Sequence, residues 1–185
     1  MSAAAFLDRV FSNLPRVGAK FDFAAWRHAG RPTSEGVGVL PGLSVDIDKM
    51  AARIMDVGNY RGNIDYVEES RVVSGAHNGP KAVHFYQRIK VPVLAEIQME
   101  LVLTDFGDRD GWRVIGWHQL SAETERLSTR NGARSEYNVG GWLLKPDAVG
   151  YALSSAPRKS DVGRLKFAAL TKGADASAAK VVKAN

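Results

Sequence analysis

The sequence predicts an α+β domain: one well-marked helix, about six antiparallel strands in succession, then one long helix at the C-terminus. Three observations carry this. Residues 47–55 place Ile47, Met50, Ala51, Ile54 and Met55 on a single helical face. From 65 to 155 the apolar period changes to two. It is cleanest at 96–104, where Ile97, Met99, Leu101 and Leu103 alternate with Glu96, Gln98, Glu100 and Thr104. Beyond Asp161 the helical period returns, with Phe167, Leu170, Ala174, Ala178, Val181 and Val182 on a shared face.

The chain has 185 residues, a length that suits one domain with a real core. Hydrophobic content of 45% and charged content of 24% are ordinary for a globular protein. With no cysteine, disulfide frameworks, thiolate metal sites and cysteine nucleophiles are excluded. No apolar run approaches the roughly 18 residues of a membrane span. Ala3-Ala4-Ala5-Phe6-Leu7 runs straight into Asp8 and Arg9, which does not make a signal peptide, so a cytoplasmic location is expected. The whole net charge of +5 sits in residues 158–185, where seven Lys/Arg face two Asp. That segment has a single aromatic, Phe167, and no groove-reading motif. No nucleic acid is expected as a partner, and a solvated basic helix face is the simplest reading.

Taken in order, residues 2–14 form an amphipathic helix with Ala3, Phe6, Leu7, Val10, Phe11 and Leu14 on one face, Ser2 as its cap and Pro15 as its stop. A strand over 20–28, carrying Phe21, Phe23 and Trp26, leads to the turn Gly30-Arg31-Pro32. The strand 35–42 contains Gly36-x-Gly38, half of a dinucleotide fingerprint. The third glycine is displaced to Gly42 and no series of βαβ units follows, so that fold is excluded. In the next helix Asp46 and Asp48 complement the N-terminal dipole, and Gly58 is expected to end it in the left-handed region.

Strands are then expected over 65–73, 81–90, 96–104, 112–120, 134–144 and 148–155. Val91-Pro92-Val93 interrupts the second, since proline cannot serve a central ladder. Asp108-Arg109-Asp110-Gly111 supplies a hairpin turn, and the polar stretch 121–130 reads as a long hairpin tip. Gly173 weakens the last helix by about 1 kcal/mol relative to alanine.

Three stretches together resemble a known family. Residues 46–60, Asp46-Ile47-Asp48-Lys49-Met50-Ala51-Ala52-Arg53-Ile54-Met55-Asp56-Val57-Gly58-Asn59-Tyr60, are similar to its helix ending in Asp-x-x-x-Tyr. Glu69-Ser70-Arg71-Val72-Val73 is similar to its next strand, and Gly140-Gly141-Trp142-x-Leu144-x-Pro146 to its late hairpin. With their order and spacing, the chain resembles the START, polyketide cyclase and pollen-allergen-like (SRPBCC) superfamily from about residue 36 onward. It departs at Gly62-Asn63-Ile64, where the family often has Trp-x-Pro. The resemblance implies the helix-grip fold: a curled antiparallel sheet of about seven strands wrapped around the long C-terminal helix, with two short helices after the first strand and an apolar cavity between sheet and helix. It divides the chain into a START-like domain, residues 34–185, and an N-terminal extension, residues 1–33, made of the amphipathic helix and an added strand.

The chemistry points to binding more than to catalysis. His28, His77, His84 and His118 lack zinc-helix spacing, and no Gly-x-Ser-x-Gly elbow or phosphate loop is present; no metal and no cofactor is expected. His77 falls in a loop, and His84 falls on the polar, solvent-facing side of its strand. Glu96, Gln98 and Glu100 read as solvated. His118 lies between apolar neighbours, either as a hydrogen-bonded, half-buried histidine or as a proton-transfer group.

The ligand contacts are expected on the apolar strand face and last helix: Val83, Phe85, Met99, Leu101, Ile115, Trp117, Tyr137, Tyr151 and Phe167, with Arg88, Arg134, Tyr137 and Asn138 as polar anchors. The first function reading is a carrier or sensor for an apolar small molecule, lipid or polycyclic, with the basic C-terminal segment touching acidic membrane. The second is a cyclase or aromatase-like enzyme in the same cavity, which requires His118, Tyr137 and Arg134 to converge. The third is an interaction module with a filled core, its Trp-rich strands serving a dimer.

Overall fold

The computed structural model describes residues 2–91 and 95–184. The break expected at Pro92 and Val93, and the side chains of Val181 and Val182, lie outside the described residues.

Helix α1 (Ala3–Asn13) forms as its spacing predicts. The Ser2 hydroxyl accepts from the Ala5 N–H, and Ala3, Phe6, Leu7 and Val10 are buried. Strand β1 (Asp22–Trp26) pairs antiparallel with β2 (Glu35–Pro41). Helix α2 (Ile47–Met55) is capped by Asp46, whose carboxylate accepts from the Lys49 N–H at 3.1 Å. Its end is made differently from the expected one: Asp56 closes it, Val57–Asn59 is a 3₁₀ turn, and Gly58 does not enter the left-handed region.

The remaining strands are β3 (Val67–Val72), β4 (Ala82–Val91), β5 (Ala95–Arg109), β6 (Trp112–Gln119), β7 (Ala133–Lys145) and β8 (Ala148–Pro157). They build one eight-stranded sheet in the order β1-β2-β8-β7-β6-β5-β4-β3, antiparallel between all these neighbours. The eighth strand is β1, contributed by the N-terminal segment. Beyond the end of β6, β7 reaches β5 in a short parallel pairing, Ile97 with Ala133 and Gln98 with Arg134, so the sheet curls without closing. The β5–β6 hairpin turns at Asp110 (φ 50°) and Gly111 (φ 76°), the two left-handed residues that a tight hairpin favours.

Period-two alternation gives this sheet two apolar faces, each with its own core. The inner face carries Phe85, Met99, Leu101, Ile115, Trp117, Trp142 and Leu144, closed at one end by Ala51 and Ile54 of α2 and by Tyr60. The outer face carries Val37, Val39, Trp112, Val114, Val139, Leu143 and Ala152, covered by Phe6, Leu7 and Val10 of α1. Leu7 sits so close that a Cβ on Gly116 or Gly141 would lie 2.9 or 2.8 Å from its methyl groups.

The C-terminal helix follows a single turn, α4 (Lys159–Val162), and Gly163 in the left-handed region (φ 77°). Helix α5 (Arg164–Ala184) packs along β2 and β8. Of the expected face, Leu170 is buried and Phe167 and Ala178 are half-buried, but Ala174 is exposed and Asp175 turns toward the sheet in its place. Asp175 accepts from the Ser34 N–H at 2.8 Å and from Arg27 at 2.6 Å, tying the helix to the start of β2. An acidic residue in a run of alanines reads as solvent-facing, which hides this tether from sequence reasoning.

The stretch expected as a hairpin tip folds back instead. Residues 121–131 form a short helix, α3 (Ser121–Glu125), and a 3₁₀ turn, Thr129–Asn131, which pack over β5. The Thr124 hydroxyl accepts from the Glu100 N–H. Gln98, expected in solvent, is buried and donates to the carbonyls of Ser128 and Gly132.

Candidate functional site

Seven of the nine expected contact residues come together on the inner face. Val83 and Phe85 lie on β4, Met99 and Leu101 on β5, Ile115 and Trp117 on β6, and Tyr151 on β8. Sequence reasoning left out Trp142, Val149 and Leu153, which pack in the same cluster. The β7–β8 register sets Trp142 directly opposite Tyr151, and counting back from the Pro146 turn would have found it.

Aromatic rings form the centre. Tyr151 meets Trp142 at 4.6 Å between centroids and Trp117 at 5.6 Å, while Tyr60 meets Phe85 edge-on at 6.0 Å. The Trp117 indole lies flat across β7, because residue 140 is glycine; a Cβ there would stand 2.1 Å from the ring. Trp117 Nε1–H donates to Asn138 Oδ1 at 2.6 Å, and Asn138 Nδ2–H donates to the Met99 thioether at 3.2 Å. Asn138 is thus a polar group seated on the apolar wall.

Tyr60, the last residue of the Asp-x-x-x-Tyr motif, donates its hydroxyl to the Ile54 carbonyl and so fastens the end of α2 to the sheet. Burial raises both the Tyr60 and Tyr151 phenols above their ordinary range. The two differ in packing. Tyr60 is buried and hydrogen-bonded, whereas Tyr151 keeps part of its surface accessible and its hydroxyl has no hydrogen-bond partner among the described residues. Val83, Ile89, Val149 and Leu153 around it are likewise half-buried.

The other expected residues stand elsewhere. Tyr137 shares the outer face with Val139; its hydroxyl contacts the Thr33 hydroxyl at 2.6 Å, and Arg31 stacks on its ring at 4.2 Å. Phe167 lies on the first turn of α5, outside both cores, with the Lys159 ammonium 5.9 Å from its ring centre. Arg134 grips Asp161 with two nitrogens, at 2.7 and 2.9 Å, which holds that carboxyl well below the usual carboxylate range. Arg88 pairs with Glu96 at 2.6 Å on the outer side of β4. His118 is on the outer face beside Val102 and Val139, and burial lowers its pKa. His118 and Tyr137 thus share the outer face, away from the inner cluster, while Arg134 is taken up by Asp161.

His84 is not in solvent either. The loop over 74–80 covers it, His77 packs edge-on at 5.4 Å, and its Nε2 lies 2.7 Å from the Glu100 carboxylate. Among the described residues no group of three or more His, Asp or Glu is arranged to hold a metal ion.

No family sequence model and no curated protein sequence matches the chain. Solved structures do. The STAR-related lipid transfer protein of Xanthomonas axonopodis superposes with a TM-score of 0.70 over 92% of this chain and 91% of that one, at 14% identity. Human STARD10 gives 0.69 over 99% of this chain and 77% of that one, at 14% identity. Human StAR-related lipid transfer protein 5 gives 0.58 over 98% and 94%, at 9% identity. The chain has the START helix-grip fold.

Proposed function

We propose that this START-like domain binds an apolar small molecule, a lipid or a polycyclic compound, between the inner face of the sheet and helix α5. The observation that carries the reading is Tyr151. It is half-buried at the edge of the inner cluster, against Trp117 and Trp142, and the described residues give its hydroxyl no hydrogen-bond partner. An apolar ring with a polar tip at such a place suits the wall of a ligand site. The fold supports the same reading, since the structures it resembles include proteins described as lipid transfer proteins.

Contact with acidic membrane is part of the proposal. Leu165 is 87% exposed and stands between Arg164 and Lys166 at the start of α5. An exposed leucine flanked by cations suits a shallow insertion beside anionic headgroups. No helix among the described residues is long and apolar enough to cross a membrane. The enzyme reading needed His118, Tyr137 and Arg134 on the inner cavity; His118 and Tyr137 lie on the outer face, and Arg134 is paired with Asp161.

The test is to purify the protein without detergent, extract it with organic solvent and analyse the extract by mass spectrometry, with uptake of labelled lipid from vesicles in parallel. A bound apolar compound, or uptake near one molecule per chain, is the expected result. An empty extract together with no uptake contradicts the reading.

A further inference from the structure

Strand β3 is one end of the sheet, and its far side pairs with no strand among the described residues. The β3–β4 register tells which backbone groups point there. The Val73 N–H donates to the His84 carbonyl at 2.8 Å, so residue 73 turns its backbone toward β4. Opposed residues in an antiparallel ladder alternate between bonded and non-bonded pairs. Arg71 opposite Tyr86 and Glu69 opposite Arg88 therefore bond to β4, while Ser70 and Val72 send their N–H and C=O groups out to the free edge.

Open edges are usually blunted by lysine, proline, a bulge or a covering element. The strand Val67–Val72 contains no lysine or proline. Its bulge lies at the start, between Val67 and Glu69, and leaves 69–72 in regular register. Tyr66 and Val72, both exposed, flank this regular part.

The edge is also complementary to itself. A second copy laid antiparallel around Ser70 sets the two Ser70 residues opposite each other as a bonded pair, each N–H donating to the other carbonyl. Glu69 then faces the second copy's Arg71, and Arg71 faces the second copy's Glu69. These are non-bonded pairs, in which side chains come closest and Cα atoms stand about 4.5 Å apart. Both side chains reach solvent, where they meet within the chain at 3.3 Å. Arg71 is held in place over the Tyr86 ring at 4.7 Å. A two-fold at Glu69 or at Arg71 would instead set like charges face to face, so the charges select Ser70 as the centre. The same pairing puts the two Ser70 hydroxyls side by side, and Ser70 Oγ has no partner within its own chain among the described residues.

We infer that β3 pairs with β3 of a second copy, so that the sheet continues across a two-fold axis at Ser70. The pairing requires no ligand. It sets one strand against one strand, a small contact, so the dimer is weak and half-formed at about 100 µM.

The test is sedimentation equilibrium of the purified chain from about 5 µM to about 1 mM, a range that brackets a weak dimer. The unmodified protein should pass from monomer to dimer across it. Glu69→Arg sets two arginines against each other, and Arg71→Glu sets two glutamates against each other. Each variant alone should dimerise about 10-fold more weakly. Mixed in equal amounts, the two variants match opposite charges at both positions and should form a heterodimer at about the unmodified affinity. A damaged fold cannot produce that gain. A monomer at every concentration overturns the inference. So does a dimer that both charge reversals leave intact, which places the contact elsewhere, or a mixture that associates no more tightly than either variant alone.

Discussion

The two faces of the sheet start from the same alternation of apolar residues and end differently. On the outer face, α1, α3 and the loop over 74–80 cover the strands, and Leu7 lies in direct contact with the backbone at Gly116 and Gly141. Even the charge there is closed in. Glu35 is 0% exposed, and its carboxylate accepts from two Arg9 nitrogens at 2.7 and 2.6 Å and from the Trp26 indole at 2.8 Å. On the inner face, α2 covers one end, several rim residues are half-buried, and the described residues give Ser70 Oγ no partner, as they give none to His84 Nδ1 and His118 Nδ1 on the outer face. The difference teaches that equal alternation in the strands does not give equal burial: the outer core is the more completely covered, and the proposed ligand would lie on the other.

The largest effect expected on this contrast comes from Arg9→Ala. It leaves a fully buried carboxylate with the Trp26 indole alone, and should cost about 3–5 kcal/mol in urea unfolding. Ligand binding to the folded fraction should not change, because Arg9 is on the other side of the sheet. The next pair compares equal truncations. Leu143→Ala, in the sealed outer core, should cost about 2–5 kcal/mol. Leu153→Ala, on the inner rim, should cost less than about 1.5 kcal/mol and weaken apolar ligand binding. Equal costs at the two sites would mean that the inner face is packed as tightly as the outer.

The smallest effect expected is a pH slope from His118. Burial lowers its pKa below the ordinary value, and His77 adds repulsion. The unfolded chain then takes up a proton before the folded chain does. His118 thus contributes stability above about pH 6.5 that is lost as pH falls below it, toward the folded value. His118→Gln should flatten unfolding free energy against pH in that window, while ligand binding, on the opposite face, keeps its pH profile.

Much of this was legible in the residues. The spacing of Phe6, Leu7 and Val10 defined the buried side of α1, and the 46–60 motif led to the fold. The alternation at 96–104 sorted β5 correctly into two sides. What alternation does not reveal is how each side is covered. Gln98 and His84 sit at polar positions of their strands and are nonetheless buried, because α3 and the loop over 74–80 fold back over them. Covers of this kind are tertiary events with no local period.

Tyr137 shows a second limit. Its strand is apolar on both sides, so a tyrosine there reads equally well for either face, and the bulge between Ser135 and Tyr137 breaks the count from the strand's start. Asn138, one residue on, is the neighbour that does reach the inner wall.

The central claim is that an apolar ligand lies on the inner face and not against α1. Photolabelling tests it most directly, using a lipid that carries a diazirine in its hydrocarbon chain, followed by peptide mapping. The account predicts labels on β7 and β8 at inner positions such as Trp142, Tyr151 and Leu153, with none on α1. Labels concentrated on Phe6, Phe11 or Trp112, or spread evenly over both faces, would contradict it.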